Sequence, residues 1–350
     1  MAPRNSRSTG KSRSTGSDRK KSAAAPKKNT GRPATRKAGG RGTGAPRGAA
    51  RAESRGAGGS RGGSARGSAS SRDGGARIGA PGRKSPSAPK GLGGEQIEGR
   101  QAIRELLIGQ KRKIKEIWFA ADLDDAPIIA DIEELAHAAR VPVLEVPRRT
   151  LEEKARSEAP QGVLAFAAPI EEHPFGEMLK TKNGVKPFLV AIDGVTDPGN
   201  LGAILRCCDA AGVTGVLLPK HRAVHVTPTV AKASAGAVEH VPMTLVSGLP
   251  TAIGQMRDKG IWVVGLDDAS GETLFDIGKL ATDGICLVLG AEGAGLSRLV
   301  KERCDSVVGI PMMGQVSSLN VSAAAALAVY EVTRARAQQQ PPLALRDTPG

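Results

Sequence analysis

The chain has 350 residues and a formal net charge of +15, and this charge is distributed unevenly. Residues 1–94 carry 23 Lys and Arg side chains against three acidic ones, whereas residues 95–350 carry 27 basic and 32 acidic side chains. This asymmetry excludes a protein that is basic throughout and predicts an arm that meets a polyanion. The length predicts two or three domains rather than one.

Residues 1–94 form a tail of low complexity that contains 21 Gly, no aromatic residue, no Val and no Cys. Such a segment has too little apolar surface to offset its chain entropy, so we expect a disordered basic tail rich in Gly, Arg and Ser. Its cations are expected to attract the phosphates of nucleic acid through counterion release, with little sequence preference. The alternative is a solubilising extension without a specific partner.

The sequence shows no feature of a membrane or secreted protein. It contains no window of about 18 apolar residues, and its start lacks the apolar run of a signal peptide. The four cysteines, Cys207, Cys208, Cys286 and Cys304, lie in apolar segments and form no Cys-x-x-Cys pair. We therefore expect a cytoplasmic protein with buried thiols and with no disulfide, metal site or membrane span.

An alternation of helices and strands over residues 95–170 predicts a small α/β domain. A segment with Pro174, Gly176 and Asn183 follows, and we interpret residues 171–186 as a linker around one short helix. The patterns predict helices over 98–109, 126–140 and 151–155 and strands over 113–121, 141–147 and 162–168.

A longer α/β alternation covers residues 187–338, before a flexible carboxyl terminus at 339–350. Nearly continuous apolar strands separated by helices predict a parallel sheet covered on both faces. Such sheets bind ligands outside the carboxyl ends of their strands. The predicted strands are 188–192, 213–219, 241–246, 262–267, 286–290 and 307–312, and the predicted helices are 201–212, 230–239, 251–260 and 322–336.

Three loops that follow predicted strands are rich in small and polar residues. The first, 193–200, leads into a helix that places Asn200 near its start and Arg206 off its apolar face. A helix start with a nearby cation can orient an anionic or hydroxyl-bearing substrate. The alternative is structural, with Asn200 as the N-cap and Arg206 paired with Asp209 on a solvated face.

The second loop, 289–295, is rich in glycine and holds Glu292 where a strand ends. Glycine permits close approach of the backbone to a ligand. The glycine spacing matches neither the dinucleotide-binding fingerprint nor the Walker A loop, so nucleotide hydrolysis and hydride transfer lose support. The alternative is an ordinary turn between a strand and a helix.

The third loop, 310–320, runs into an Ala-rich helix, and Ser317, Ser318 and Asn320 surround Leu319 at the helix start. Free backbone N–H groups and side-chain amides can hold a polar ligand there. Capping of the helix accounts for one of these three polar residues. The small residues of the helix suit either a core or a dimer interface.

Three segments, NLGAILR, LGAEGAGL and IPMMGQVSSLNVSAAAA, resemble in order and spacing the signature motifs of the SpoU/TrmH family of RNA ribose 2′-O-methyltransferases, within the SPOUT class. The resemblance covers about 187–336, and residues 95–170 resemble the small RNA-binding domain of many rRNA-modifying members. It implies a knotted SPOUT-type parallel sheet, S-adenosylmethionine as cofactor, and a homodimer whose active sites are completed across the interface.

The resemblance also implies roles for individual residues, and it implies no metal. Because a guanidinium stays protonated near neutral pH, we expect Arg206 to clamp a phosphate and stabilise a developing alkoxide rather than to act as a base. The residues implied in substrate binding and chemistry are Asn200, Arg206, Glu292, Ser318 and Asn320. The residues implied in cofactor binding are Leu289, Gly290, Gly293, Ile310, Met312, Ser318 and Leu319.

The function that this resemblance implies is methyl transfer from S-adenosylmethionine to a ribose 2′-hydroxyl of RNA. The small RNA-binding domain favours rRNA over tRNA, and the similarity points to a guanosine of 23S rRNA. Two alternatives remain open: a methyltransferase that acts on tRNA, and a non-catalytic RNA-binding factor of ribosome assembly. The presence of Asn200, Arg206, Glu292 and Asn320 together counts against the second.

Overall fold

The computed structural model describes residues 91–221, 225–267 and 271–338, which form two β-sheets with helices packed on them. The predictions for the tail up to residue 90 and for 339–350 lie outside the described residues. At 91–94 the structure differs from the expected disorder, because Leu92 is fully buried and Gly93 forms a β-bridge with Val226. Within the described ranges, no helix is long and apolar enough to cross a membrane.

The smaller sheet has four strands in the order β1-β4-β2-β3. β2 and β3 are parallel, and β4 is antiparallel to both β1 and β2. Helix α1 covers one face with Ile103, Leu106 and Leu107, at the spacing that the sequence predicted. β1 was not predicted, since three residues are too few to show alternation. The elements are β1 Gln96–Glu98, α1 Arg100–Gly109, β2 Ile114–Ala120, α2 Pro127–Ala138, β3 Val143–Val146, α3 Arg148–Lys154 and β4 Val163–Ala167.

The larger sheet has seven strands in the order β7-β6-β5-β10-β8-β11-β9, and every neighbouring pair is parallel. The predicted parallel sheet flanked by helices is therefore confirmed. Its strands are β5 Phe188–Asp193, β6 Gly215–Pro219, β7 Met243–Val246, β8 Ile261–Leu266, β9 Glu272–Thr273, β10 Gly284–Gly290 and β11 Ser306–Gly309. The helices are α4 Phe175–Met178, α5 Pro198–Ala210, α6 Pro228–Ala233, α7 Leu249–Asp258, α8 Arg298–Arg303 and α9 Val321–Ala337, with 3₁₀ helices at Ala237–Glu239 and Leu274–Lys279.

The register of the central strands brings their carboxyl ends together. Gly290 at the end of β10 lies opposite Asp193 at the end of β5. Leu266, which ends β8, pairs with Leu289 on one side and with Val308 of β11 on the other. The loops after β5, β8, β10 and β11 consequently start from one edge of the sheet, as the sequence predicted for a ligand site.

The helix predicted over 230–239 is broken, which corrects the sequence interpretation. α6 ends at Ala233, and Ala235 and Gly236 have positive φ angles of 50° and 88° before a 3₁₀ turn begins. α1 of the smaller sheet packs against this point, and an added Cβ at Gly236 would lie 2.4 Å from Cβ of Glu105. The break therefore falls at a glycine with a positive φ angle, and α1 leaves no room for a side chain at that position.

The two sheets share apolar packing. One hydrophobic cluster contains Ile97 and Ile103 of the smaller sheet region together with Val230 and Val238 from the region of the larger sheet. Between them, residues 171–186 include α4, whose Met178 packs against the larger sheet. The division into an RNA-binding domain, a linker and a catalytic domain stays a prediction.

The four cysteines carry free thiols in the structure. Cys208 and Cys286 are fully buried, whereas Cys207 and Cys304 are half-buried. Burial raises the pKa of each thiol, and it raises that of Cys304 to about 12. These groups are therefore protonated at neutral pH and are poor metal ligands.

Arg336 ties the end of α9 to the start of the larger sheet. Its guanidinium donates hydrogen bonds to the carbonyl oxygens of Ala281, Lys186, Pro187 and Asp283 at 2.7–3.3 Å. Burial lowers the pKa of this guanidinium. The side chain therefore fastens the terminal helix to both β5 and β10.

Replacing Arg336 by Met is expected to lower the free energy of unfolding by about 2 kcal/mol, because four carbonyl groups lose a charged donor. Arg334→Met on the same helix is the control, since its ion pair with Glu331 is more exposed and should contribute less than about 1 kcal/mol. Urea unfolding measures both values. Equal losses in the two variants would contradict the fastening role of Arg336.

Candidate active site

A cavity of ≈ 420 Å³ lies at the carboxyl edge of the larger sheet, where β8, β10 and β11 end. It contains all seven residues that the sequence motifs implied in cofactor binding, together with Glu292 and Asn320. The lining residues are Leu266, Asp267, Leu289, Gly290, Ala291, Glu292, Gly293, Ala294, Gly295, Val308, Ile310, Met312, Ser317, Ser318, Leu319, Asn320, Val321 and Ala324.

The glycine-rich loop forms one wall of the cavity as a tight turn. Ala291 and Gly295 exchange two backbone hydrogen bonds of 3.0 and 2.9 Å, which closes the turn around Glu292. An added Cβ at Gly290 would lie only 2.4 Å from the carbonyl carbon of Gly295. Only glycine fits at position 290 while this turn stays closed.

Asn200, Glu292 and Asn320 meet in one hydrogen-bond network, although 28 to 120 residues separate them along the chain. Oε1 of Glu292 accepts from Nδ2 of Asn200 at 3.0 Å and from Nδ2 of Asn320 at 2.8 Å. Nδ2 of Asn320 also donates to Oδ1 of Asn200 at 2.9 Å. The three predicted residues thus orient one another at the edge of the cavity.

The starts of two helices hold this network in place. Asp197 is the N-cap of α5 and accepts from the backbone N–H of Asn200 at 2.7 Å. The alternative that Asn200 caps this helix is therefore wrong, and its amide is free for Glu292. Asn320 caps α9 through Oδ1, which accepts from the backbone N–H and the hydroxyl of Ser322. Since its oxygen is occupied, the Nδ2 group of Asn320 faces Glu292.

Arg206 lies apart from this network. It is exposed on α5, about 9 Å along the axis from Asn200 and about 120° around it, and it does not line the cavity. Its guanidinium makes no hydrogen bond or ion pair with any residue that the structure describes, so the pairing with Asp209 does not form. Glu292 binds Asn200 and Asn320 and makes no hydrogen bond to Arg206. The implied role of Arg206 stays a prediction.

The third loop is largely exposed. Ser318 and Leu319 line the cavity, while Met313 is 96% exposed at the tip of the loop. The small-residue face of α9, in contrast, is buried in the core of this chain at Ala325 and Ala328. Those two positions suit a core, which was one of the two alternatives.

Sequence reasoning missed Asp267, which follows β8 and lines the cavity. Its carboxylate forms an ion pair of 2.9 Å with Lys301, and its side chain is only 10% exposed. The available signal was the acid at the end of the apolar run WVVGLD, at the same edge as the three loops. Sequence reasoning also missed that Asp193 supports the glycine-rich loop. Its carboxylate accepts a hydrogen bond from the backbone N–H of Ser297 at 2.7 Å and anchors that loop.

The lining of the cavity fits S-adenosylmethionine better than a metal ion. Its volume lies in the range of about 300–1,000 Å³ typical of small-molecule sites, and it combines apolar side chains with exposed backbone and a few polar groups. Gly290, Gly293 and Gly295 line the cavity without side chains, so the loop presents backbone to it there. In the described part of the chain, no group of three or more His, Cys, Asp or Glu side chains could hold a metal.

Two family models match the chain. The SpoU rRNA methylase family matches residues 187–330, and the model for RNA 2′-O ribose methyltransferase substrate binding matches residues 96–173. The 23S rRNA (guanosine-2′-O-)-methyltransferase RlmB of Pseudomonas aeruginosa is 39% identical over 245 residues, covering 69% of this chain and 97% of that relative.

Two further relatives agree with this match. A putative TrmH family tRNA/rRNA methyltransferase of Staphylococcus haemolyticus is 42% identical over 246 residues, or 69% of this chain and 96% of the relative. The crystal structure of an AdoMet-bound rRNA methyltransferase from Sinorhizobium meliloti has a TM-score of 0.55 and 25% identity, over 68% of this chain and 86% of that one. The cavity, its three loops and these matches together show that the chain belongs to the SpoU/TrmH family of S-adenosylmethionine-dependent RNA 2′-O-methyltransferases.

Proposed function

We propose that this protein methylates the ribose 2′-hydroxyl of a guanosine in 23S rRNA. The observation that carries the proposal is the network of Asn200, Glu292 and Asn320 at the mouth of a cavity lined by all the implied cofactor residues. The similarity to the P. aeruginosa 23S rRNA guanosine methyltransferase, which this chain covers almost completely, supports the choice of substrate.

The side chains of the network orient the ribose. Oε1 of Glu292 is occupied by two amides, whereas Oε2 accepts no hydrogen bond from the described residues and can receive a ribose hydroxyl. S-Adenosylmethionine, when bound, supplies an electrophilic methyl group on a sulfonium. Positioning of the hydroxyl oxygen in line with this methyl group can account for several kcal/mol of the rate enhancement.

We assign to Arg206 the clamping of the neighbouring phosphate and the stabilisation of the alkoxide that develops as the hydroxyl loses its proton to solvent. The guanidinium lies off the cavity of its own chain, which supports a homodimer in which Arg206 serves the partner's cavity. A trefoil knot and a cytoplasmic location are further parts of this proposal and rest on the family resemblance.

Transfer of a tritiated methyl group from S-adenosylmethionine to purified RNA tests the proposal. We expect incorporation into unmodified 23S rRNA, and mapping of 2′-O-methyl sites should place it at a single guanosine that is unmethylated in cells lacking the protein. Incorporation into neither rRNA nor tRNA would leave only the non-catalytic RNA-binding alternative.

A tRNA substrate is the second candidate function, because the S. haemolyticus relative is named as a tRNA/rRNA methyltransferase. The match of residues 96–173 to a substrate-binding model indicates that RNA is also contacted outside the catalytic part. Comparison of tRNA and rRNA at equal nucleotide concentration in the same transfer assay separates the two substrates.

We further propose that the basic tail contributes to RNA binding. Deleting residues 1–90 should weaken RNA affinity at low salt and flatten the dependence of log K on log salt, because 23 cationic side chains no longer release counterions. Methyl transfer at saturating RNA should persist. Filter binding at several salt concentrations measures the slope, and an unchanged slope would show that the tail does not touch phosphate.

A further inference from the structure

Arg112 lies at the point where the chain enters and leaves the region of the smaller sheet. It sits in the turn between α1 and β2, and Nη1 donates to the carbonyl oxygens of Gly94 and Ala168. Gly94 precedes β1, and Ala168 follows β4. One nitrogen of Arg112 therefore binds the chain both where it enters the region of the smaller sheet and where it leaves it. The backbone N–H of Ile170 donates to the carbonyl oxygen of Gly93, which holds the entering and leaving segments side by side. The backbone N–H of Ala168 donates to the carbonyl oxygen of Lys113, in the same turn as Arg112.

The other edge of the same guanidinium binds Glu239, in the 3₁₀ helix that packs beside the larger sheet. Nε donates to Oε2 at 3.0 Å and Nη2 donates to Oε1 at 2.6 Å, which is a bidentate pair. The side chains of Arg112 and Glu239 are 5% and 3% exposed. A buried pair of this kind adds little net stability relative to apolar residues, but it imposes one geometry on its partners.

Further contacts across this boundary lie nearer the surface. Nζ of Lys232 on α6 donates to the carbonyl oxygens of Glu158 and Ala159 at 2.6 and 2.7 Å. Nε2 of His240 lies 2.9 Å from Oε2 of Glu105 on α1. Backbone hydrogen bonds such as that from Val226 to Leu92 also cross this boundary. Among the described residues, the guanidinium of Arg112 binds the entering segment, the leaving segment and Glu239 beside the larger sheet at once.

We infer that Arg112 is a positioning residue for catalysis. Its pair with Glu239, which we call the Arg112–Glu239 latch, fixes the angle between the smaller sheet and the cavity. RNA bound by residues 95–170 is thereby presented to the network of Asn200, Glu292 and Asn320 in one orientation. This inference rests on the proposed function.

The paired variant Arg112→Met/Glu239→Leu tests the latch, because it removes the pair without leaving an unpaired buried charge. We expect kcat with a 23S rRNA fragment to fall about tenfold, since RNA still binds but its ribose is less often aligned with the methyl group. KM for RNA and the Kd of S-adenosylmethionine should stay within about threefold. The amide protons of Ala168 and Ile170 should exchange about tenfold faster.

A loss of folded enzyme would also lower the apparent kcat. Calorimetry gives the stoichiometry of S-adenosylmethionine binding and thereby the fraction of active protein, so that kcat can be expressed per active site. The control is Lys180→Met/Glu177→Leu, which removes an exposed ion pair at α4, outside residues 95–170; its side chains are 63% and 46% exposed. Arg112→Lys keeps the positive charge but cannot donate the two hydrogen bonds to Glu239. Its kcat should lie between those of the wild type and the paired variant.

Two results would overturn the latch: a kcat per active site equal to that of the control, or a fall in kcat matched by an equal fall in binding stoichiometry. If the wild-type protein transfers no methyl group to RNA, the proposed function fails instead. Hydrogen exchange at Ala168 and Ile170 then still decides whether the pair restrains the boundary.

Discussion

Replacement of Arg206 by Ala is expected to reduce methyl transfer to RNA by about 10²–10³-fold, the effect of removing one preorganised group that stabilises developing charge. The Kd of S-adenosylmethionine should stay within about twofold, because Arg206 is assigned to the phosphate and the alkoxide and does not line the cavity of its own chain. Single-turnover transfer and calorimetry measure the two quantities. Comparable turnover in this variant would remove Arg206 from the mechanism.

Arg206→Lys separates the effect of the positive charge from that of bidentate phosphate binding. A Lys keeps the positive charge but cannot bind a phosphate with two N–H groups, so activity between wild type and Arg206→Ala is expected. The control is Arg303→Ala, since Arg303 is also exposed and its loss removes the same charge. If the loss of activity in Arg206→Ala does not result from net charge alone, Arg303→Ala should keep nearly full activity.

Mixing variants tests the proposed dimer. Arg206→Ala has an intact cavity, and a variant with a blocked cavity keeps Arg206. If each site uses the guanidinium of the partner, exchange of subunits between these two inactive proteins should restore about a quarter of the wild-type activity, because half of the dimers are mixed and each mixed dimer has one complete site. No recovery would place Arg206 in the site of its own chain or exclude the dimer.

The apolar faces of the helices could be predicted because they depend only on local spacing. Leu201, Ile204, Leu205 and Cys208 recur at the helical period, and all four are buried in the structure. The convergence of the three loops could also be anticipated, since the carboxyl ends of parallel strands share one edge of the sheet. The family motifs then indicated which loop residues to consider.

Contacts between distant segments could not be predicted in the same way. Both Asp197 and Asn200 are good N-caps, and only the tertiary bond from Asn200 to Glu292 shows which of them is free for the site. At the break in the helix predicted over 230–239, Gly236 packs against Glu105, which lies far away in sequence. Asp267 was missed because the acid that ends WVVGLD can be related to the site only through the sheet edge that it shares with the three loops.

Replacement of Gly290 by Ala is expected to weaken S-adenosylmethionine binding by at least about 100-fold, or about 2.7 kcal/mol. The new Cβ would lie 2.4 Å from the carbonyl carbon of Gly295 and 2.6 Å from the backbone nitrogen of Leu296. Because these atoms belong to the backbone, the glycine-rich turn itself must move, and Glu292 moves with it. Overpacking of this kind should also lower the free energy of unfolding by about 1–3 kcal/mol.

The matched control for Gly290→Ala is Gly314→Ala in the third loop, where an added Cβ meets nothing within 4 Å. Its Kd for S-adenosylmethionine should equal that of the wild type, because Gly314 does not line the cavity. Calorimetry with both purified variants gives the comparison directly. Wild-type affinity in Gly290→Ala would mean that the turn can open without loss of the cofactor, and the cavity between the glycine-rich loop and the third loop would then not be the binding site.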